Sequence, residues 1–175
     1  RHSQKKEIQQ GVEAAALMTP LELPGADGED LTYRAVVASG EYDTGTEVLV
    51  FRSFDGVSGY HILTPLRRAD GTAIVVDRGW VPLEYDTPPV RPARPMEGSL
   101  IVTGQIWPST PGDVPDELPP VMKRIDTSVI DAFTPYPIME PYLLLQEQRP
   151  PMPGDLPLIA DPPTVSLGPH LGYAG

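Results

Sequence analysis

The chain has 175 residues, 40% of them hydrophobic, with 23 prolines, 16 glycines, no cysteine and a formal charge of −11. That length and apolar share suit one domain with a modest core, and the prolines and glycines disfavour long helices. The acidity argues against nucleic acid, and against anionic lipid held through this domain alone. The lack of cysteine excludes disulfides, thiolate metal sites and cysteine nucleophiles.

Residues 1–18 are the best helix candidate. Ile8, Val12, Ala15 and Ala16 fall on one stripe, polar residues fill the rest, and Thr19-Pro20 ends the run. The plain reading is a frayed terminus that packs one face on a sheet. Residues 24–30 are a polar loop. Tyr33–Tyr42 and Glu47–Arg52 are apolar, β-prone runs across a short Gly-containing turn, so they read as a hairpin, and residues 53–58 as a link.

Next comes Gly59-Tyr60-His61-Ile62-Leu63-Thr64-Pro65-Leu66. A turn at residues 67–71, with Asp70-Gly71 as its signal, leads to Ala73-Ile74-Val75-Val76-Asp77-Arg78-Gly79-Trp80-Val81-Pro82. The β-branched run fits the centre of a sheet. Asp77 and Arg78 then bring opposite charges, Gly79 allows a bend, Trp80 adds an amphipathic anchor and Pro82 stops the ladder. Alternation puts Asp77 and Arg78 on opposite faces, so each should pair across the sheet and pin the strand end. His61 reads as a satisfied structural histidine.

Pro82–Pro95 holds five prolines and should be an extended surface segment. Gly98–Trp107 is a strand, residues 108–120 a Pro- and Gly-rich loop, and Asp126–Phe133 one or two helical turns behind a capping aspartate. Pro141–Gln148 is the last clear strand. The expected fold is mainly β: an antiparallel barrel or sandwich of about six strands, with an N-terminal helix and one short internal helix.

No nucleophile elbow, paired histidine motif or phosphate-cradling glycine loop is present, so no enzyme activity is expected. No apolar run is long enough to cross a bilayer and there is no signal-peptide pattern. The chain opens on Arg1 rather than Met, and it is read as part of a longer protein.

The blocks GYHILTPL and AIVVDRGWVP together resemble the SURF1 family, the membrane-anchored assembly factors of terminal cytochrome oxidase. The family pattern is Gly-Tyr-His/Val-x-x-Thr-Pro-Leu followed by a strand ending Asn-Arg-Gly-Trp/Phe-Val-Pro; Asp77 stands here for the more usual Asn. Tyr33–Tyr42, Gly98–Trp107 and Tyr142–Gln148 resemble further family strands. His170, Tyr173 and Ala174 fit an Asn-x-His-x-x-Tyr-Ala block, with Gly168 in place of Asn. The resemblance covers most of the chain, and the composition looks bacterial, of actinobacterial type.

The resemblance implies three parts. Residues 1–19 would follow a first transmembrane helix, 20–167 would form an extracytoplasmic β-domain, and 168–175 would lead into a second transmembrane helix, with both ends on the membrane side. It implies a cell-membrane protein whose partners are cytochrome c oxidase, subunit I first, and a respiratory supercomplex. The expected role is haem A insertion or maturation of subunit I, with haem A as a transient cofactor and His170 as its ligand. Neutral imidazole suits that role. Gly59, Tyr60, His61, Pro65, Asp77, Arg78, Gly79, Trp80 and Tyr173 are the family-motif residues of structural or interaction type. Arg78 has an alternative role against a haem propionate or an oxidase subunit. The alternative function is a stable accessory subunit without haem. A reading from another class is a small-ligand-binding barrel unrelated to oxidases.

Overall fold

The computed structural model describes residues 20–23 and 31–159. The helix expected over residues 1–18 and the segment 168–175 lie outside the described residues. Among the described residues there are eight strands: β1 (Leu21–Glu22), β2 (Ala35–Tyr42), β3 (Val48–Phe54), β4 (Val57–Arg67), β5 (Ala73–Pro82), β6 (Leu100–Trp107), β7 (Val121–Met122) and β8 (Ile138–Arg149). One helix, α1 (Thr127–Asp131), precedes β8. Asp126 caps it: its side chain accepts the Ser128 amide at 3.0 Å.

The strands form one sheet in the order β1-β2-β6-β8-β5-β4-β3-β7. In addition β2 pairs with β4, Glu41 opposite Arg67 and Tyr42 opposite Leu66, so the pairing runs from β2 through β6, β8, β5 and β4 back to β2. The expectation of about six antiparallel strands is corrected on both counts. β1 and β7 are two residues each, too short for any alternation to show, and exist only through their partners. The sheet is mixed: β1 runs parallel to β2, β7 to β3 and β8 to β5. Strand direction is set by how the chain re-enters the sheet after each connection, as where α1 leads into β8 beside β5, and local pattern carries no record of that.

The hairpin expected between β2 and β3 does not form. The 3-10 turn Thr44–Thr46, capped by the Asp43 carboxylate on the Gly45 amide at 3.1 Å, sends the chain away from β2. β3 pairs instead with β4, from Val48 opposite Leu63 to Phe54 opposite Val57. Residues Asp55 and Gly56, at φ 53° and 79°, make the two-residue turn between them. The hairpin of β4 and β5 is as expected, closed by the Arg68 amide on the Thr72 carbonyl at 2.8 Å.

Three apolar clusters fill the domain. One gathers Val36, Ala38, Leu66, Ile74, Val76, Val102, Ile106, Leu143 and Leu145 from β2, β4, β5, β6 and β8. A second packs α1, through Val129 and Ile130, with Met122 and Ile125 on Val48, Val50, Leu63, Val75 and Tyr142. The third sets Val90 and Ala93 against Leu49, Tyr60, Ile62 and Val81. The proline-rich segment after β5 runs largely exposed over the surface and is anchored at Val90 and Ala93, around its 3-10 turn Arg91–Ala93. Each fully buried Ile or Val contributes about 1.5–3 kcal/mol.

Candidate functional site

The described family-motif residues, Gly59 to Pro65 on β4 and Asp77 to Trp80 on β5, meet at the β4–β5 hairpin. Here β5 carries an extra residue: His61 faces Trp80 while Leu63 faces Asp77. Gly79 absorbs the bulge at φ +128°, and Leu158 pairs with Trp80 through two backbone bonds of 2.8 and 2.9 Å. A Cβ on Gly79 would overlap the Leu158 carbonyl. Only glycine satisfies both the torsion and the close approach.

Asp77 and Arg78 leave the strand on opposite faces. Asp77 Oδ2 lies 2.7 Å from His61 Nδ1, with both side chains buried, and Asp77 Oδ1 accepts the Gly79 amide at 3.2 Å. Tyr142 lies near this pair. Burial first, then the charge of Asp77, push its hydroxyl up to about 12. Trp80 donates its indole N–H to the Arg52 carbonyl at 3.1 Å and stacks on Phe54, ring centres 5.5 Å apart. Gly59 is the floor under the indole, where any Cβ would collide with it. Tyr60 packs on Phe51 from the other face, at 5.1 Å. Pro65, which has no N–H, lies beyond the first residue of β3, Val48, which faces Leu63; its carbonyl accepts the Asp43 amide at 2.9 Å.

Arg78 is 1% exposed. Its Nη1 donates to Glu47 Oε1 at 3.0 Å and to Thr64 at 3.4 Å, its Nη2 donates to the Ala93 carbonyl, and its guanidinium lies 5.1 Å from the Tyr42 ring centre. The other oxygen of Glu47 accepts the Val90 amide at 2.9 Å. Burial works against both charges. It raises Glu47 and lowers Arg78 from their ordinary values, and the partner's charge opposes each shift. Arg78 Nε is left without a hydrogen-bond partner among the described residues. An arginine so enclosed has no face to offer an outside carboxylate. It ties the turn at residues 90–93 to the sheet.

Sequence reasoning missed Glu47, Thr64 and Tyr42, the partners of Arg78. Glu47 opens an apolar strand, a weak signal, and lies 31 positions from Arg78. His170 and Tyr173 lie outside the described residues. Among the described residues no helix is long and apolar enough to cross a membrane, and no three metal-ligating side chains cluster. At the β4–β5 strand end the buried ionisable groups are paired with one another, His61 with Asp77 and Arg78 with Glu47. Buried charges are spent internally, and apolar side chains, Phe51, Val57, Leu83, Leu158 and Ile159, are exposed on the elements around it.

Comparison with known proteins agrees with the motif. The sequence model of the SURF1 family matches residues 1–175. Surfeit locus protein 1 of Takifugu rubripes is 28% identical over 125 residues, 61% of this chain and 52% of that protein. A SURF1-like protein of Monosiga brevicollis is 32% identical over 118 residues, 59% of this chain and 45% of its own length. A SURF1-like protein of Mycobacterium bovis is 28% identical over 166 residues, 90% of this chain and 59% of its own. The chain spans about half the length of the curated relatives it matches. With the family's sequence model matched from end to end and the hairpin motif built around Asp77, Arg78, Gly79 and Trp80, the chain belongs to the SURF1 family.

Proposed function

We propose that this chain is the extramembrane β-domain of a SURF1-like assembly factor for the terminal haem-copper cytochrome c oxidase. It works by binding and carries out no catalysis of its own. The observation that carries this reading is the family match over residues 1–175. Within the proposal the sheet closes into a barrel on the extracytoplasmic face of a cell membrane, between two membrane helices. Subunit I of the oxidase is the first partner.

Haem A enters through His170. Among the described residues the histidine available is His61, and it does not fit the role. Its Nδ1 is held by Asp77 at 2.7 Å and the residue is 9% exposed, too enclosed to meet a tetrapyrrole face. His170 would supply a neutral imidazole, the donor an axial haem position takes. Haem A, when bound, would be cargo for the oxidase. The part played by the described domain is to hold the flanking segments in place.

The test uses the full-length protein with its membrane segments, purified from a host that makes haem A, with His170→Ala alongside. A Soret band in the parent that is lost in the variant supports haem handling. A colourless parent, from membranes shown to contain haem A, overturns ligation by His170. If that colourless protein still co-purifies with oxidase, the role is that of a stable accessory subunit. Deletion in the native host with undiminished oxidase activity would overturn the assembly role itself.

A further inference from the structure

Arg78 keeps one N–H without an acceptor. Its Nη1 donates to Glu47 and Thr64 and its Nη2 to the Ala93 carbonyl, but Nε has no partner among the described residues. An enclosed N–H of that kind is rare and calls for a physical cause. On the same side stands a sulfur: Met152 Sδ lies 3.5 Å from Arg78 Nη2. Nε and Nη2 share one edge of the planar guanidinium, and their N–H groups point the same way along it. Met152 therefore stands on the side toward which the unmatched N–H is directed. A thioether sulfur is only a weak acceptor.

Met152 belongs to the strap that follows β8. Residues 150–156 lie along the 3-10 turn Arg91–Ala93: a Cβ on Gly154 would touch the Pro92 carbonyl at 3.5 Å, and Leu156 packs on the cluster that holds Val90 and Ala93. Met152 is only partly buried, so solvent reaches it, while Arg78 is closed off. A second contact of the same kind sets this one apart. Met139 Sδ lies 3.6 Å from Arg68 Nη1, but Arg68 also donates to the Leu23 carbonyl at 2.6 Å and to Asp70 and Thr72 at 3.4 Å, and Met139 is buried. There the sulfur is redundant and shielded. At Arg78 it is reachable and faces an unmatched donor.

We propose that Met152 is a site of reversible oxidation, and that its sulfoxide oxygen accepts the Arg78 Nε–H. A hydroperoxide transfers one oxygen atom to the sulfur. The O–O bond breaks, an S–O bond forms, the sulfur is oxidised by two electrons, and the peroxide leaves as water or an alcohol. The product carries a strong neutral acceptor beside a buried cation, where the thioether was a weak one. Methionine oxidation commonly disrupts packing; here it tightens the strap on the turn at residues 91–93. A methionine sulfoxide reductase restores the thioether and releases the strap. The inference stands apart from the oxidase reading and survives or fails without it.

The chain is treated with dilute hydrogen peroxide, with Met152→Leu alongside, and oxidised positions are located by peptide mass spectrometry. The change in thermal unfolding midpoint on treatment should be more positive in the parent than in Met152→Leu, by about 2–4 °C. That comparison removes the effect of the other methionines. An equal or more negative change in the parent overturns the proposal, as does a Met152 that stays reduced while Met96, 50% exposed, is oxidised. A second variant needs no oxidant. Met152→Gln carries a neutral acceptor oxygen, and the gain it brings should vanish beside Arg78→Lys, whose ammonium has no Nε–H edge. A gain that persists with Arg78→Lys also overturns the proposal.

Discussion

At the residue scale the decisive arrangement is Arg78 between Glu47, Thr64 and the Ala93 carbonyl. Two charges out of water gain little net stability together, yet removing one leaves the other stranded. Arg78→Leu should therefore cost about 3–5 kcal/mol in denaturant unfolding, because Glu47 keeps its buried charge. Arg78→Lys should recover only part of that, since an ammonium cannot reach Glu47, Thr64 and Ala93 at once. A loss under 1 kcal/mol for Arg78→Leu would show that water reaches Glu47. Glycine makes the second test. Gly79→Ala meets both a φ of +128° and the Leu158 carbonyl, whereas Gly71→Ala at φ +91° meets open space. The torsion alone costs about 1–2 kcal/mol. Equal thermal shifts for the two variants would mean that Leu158 simply moves aside.

At the scale of elements, the long strands were legible and their pairing was not. The alternation in Ala73–Trp80 correctly separates Asp77 from Arg78, because side chains on a strand alternate whatever lies beside it. It says nothing of Glu47, which reaches Arg78 only because β3 and β5 flank β4. The residues between β2 and β3 looked like a hairpin turn, but Asp43 caps a 3-10 turn there instead. The tight hairpin lies one connection later, at Asp55-Gly56, where the Asp-Gly pair was the available signal. The α1 cap offers a check at this scale. Asp126→Ala should lower stability by about 0.5–2 kcal/mol, with Asp126→Asn near the parent, as followed by urea unfolding. An alanine variant equal to the parent would mean that the buried Val129 and Ile130 hold the turn unaided.

For the whole molecule, burial of tyrosine hydroxyls predicts alkaline instability. Tyr142 is raised from 10.0 to about 12, and Tyr42 and Tyr136 are raised as well, each mainly by burial. A raised acid favours the fold while it holds its proton. The contribution of Tyr142 is therefore complete below pH 10 and lost as pH rises through about 12. Absorbance at the tyrosinate band should show that part of the signal of the seven tyrosines develops only with unfolding. Complete ionisation of all seven with the fold intact would contradict the burial seen for these three.

By itself the sequence determined the β class, the long strands, the capped helical turn after Asp126 and the family motif, because these rest on periodicity, turn residues and local capping. It also carried the opposite facing of Asp77 and Arg78. Only the tertiary structure decided the two short edge strands, the parallel runs and the pairing of β3 with β4 rather than with β2. It alone gave Arg78 its buried partners. Those features depend on contacts between residues apart in sequence, tens of positions apart for β5 with β8 and Arg78 with Glu47; the local sequences are compatible with several pairings, and packing selects among them.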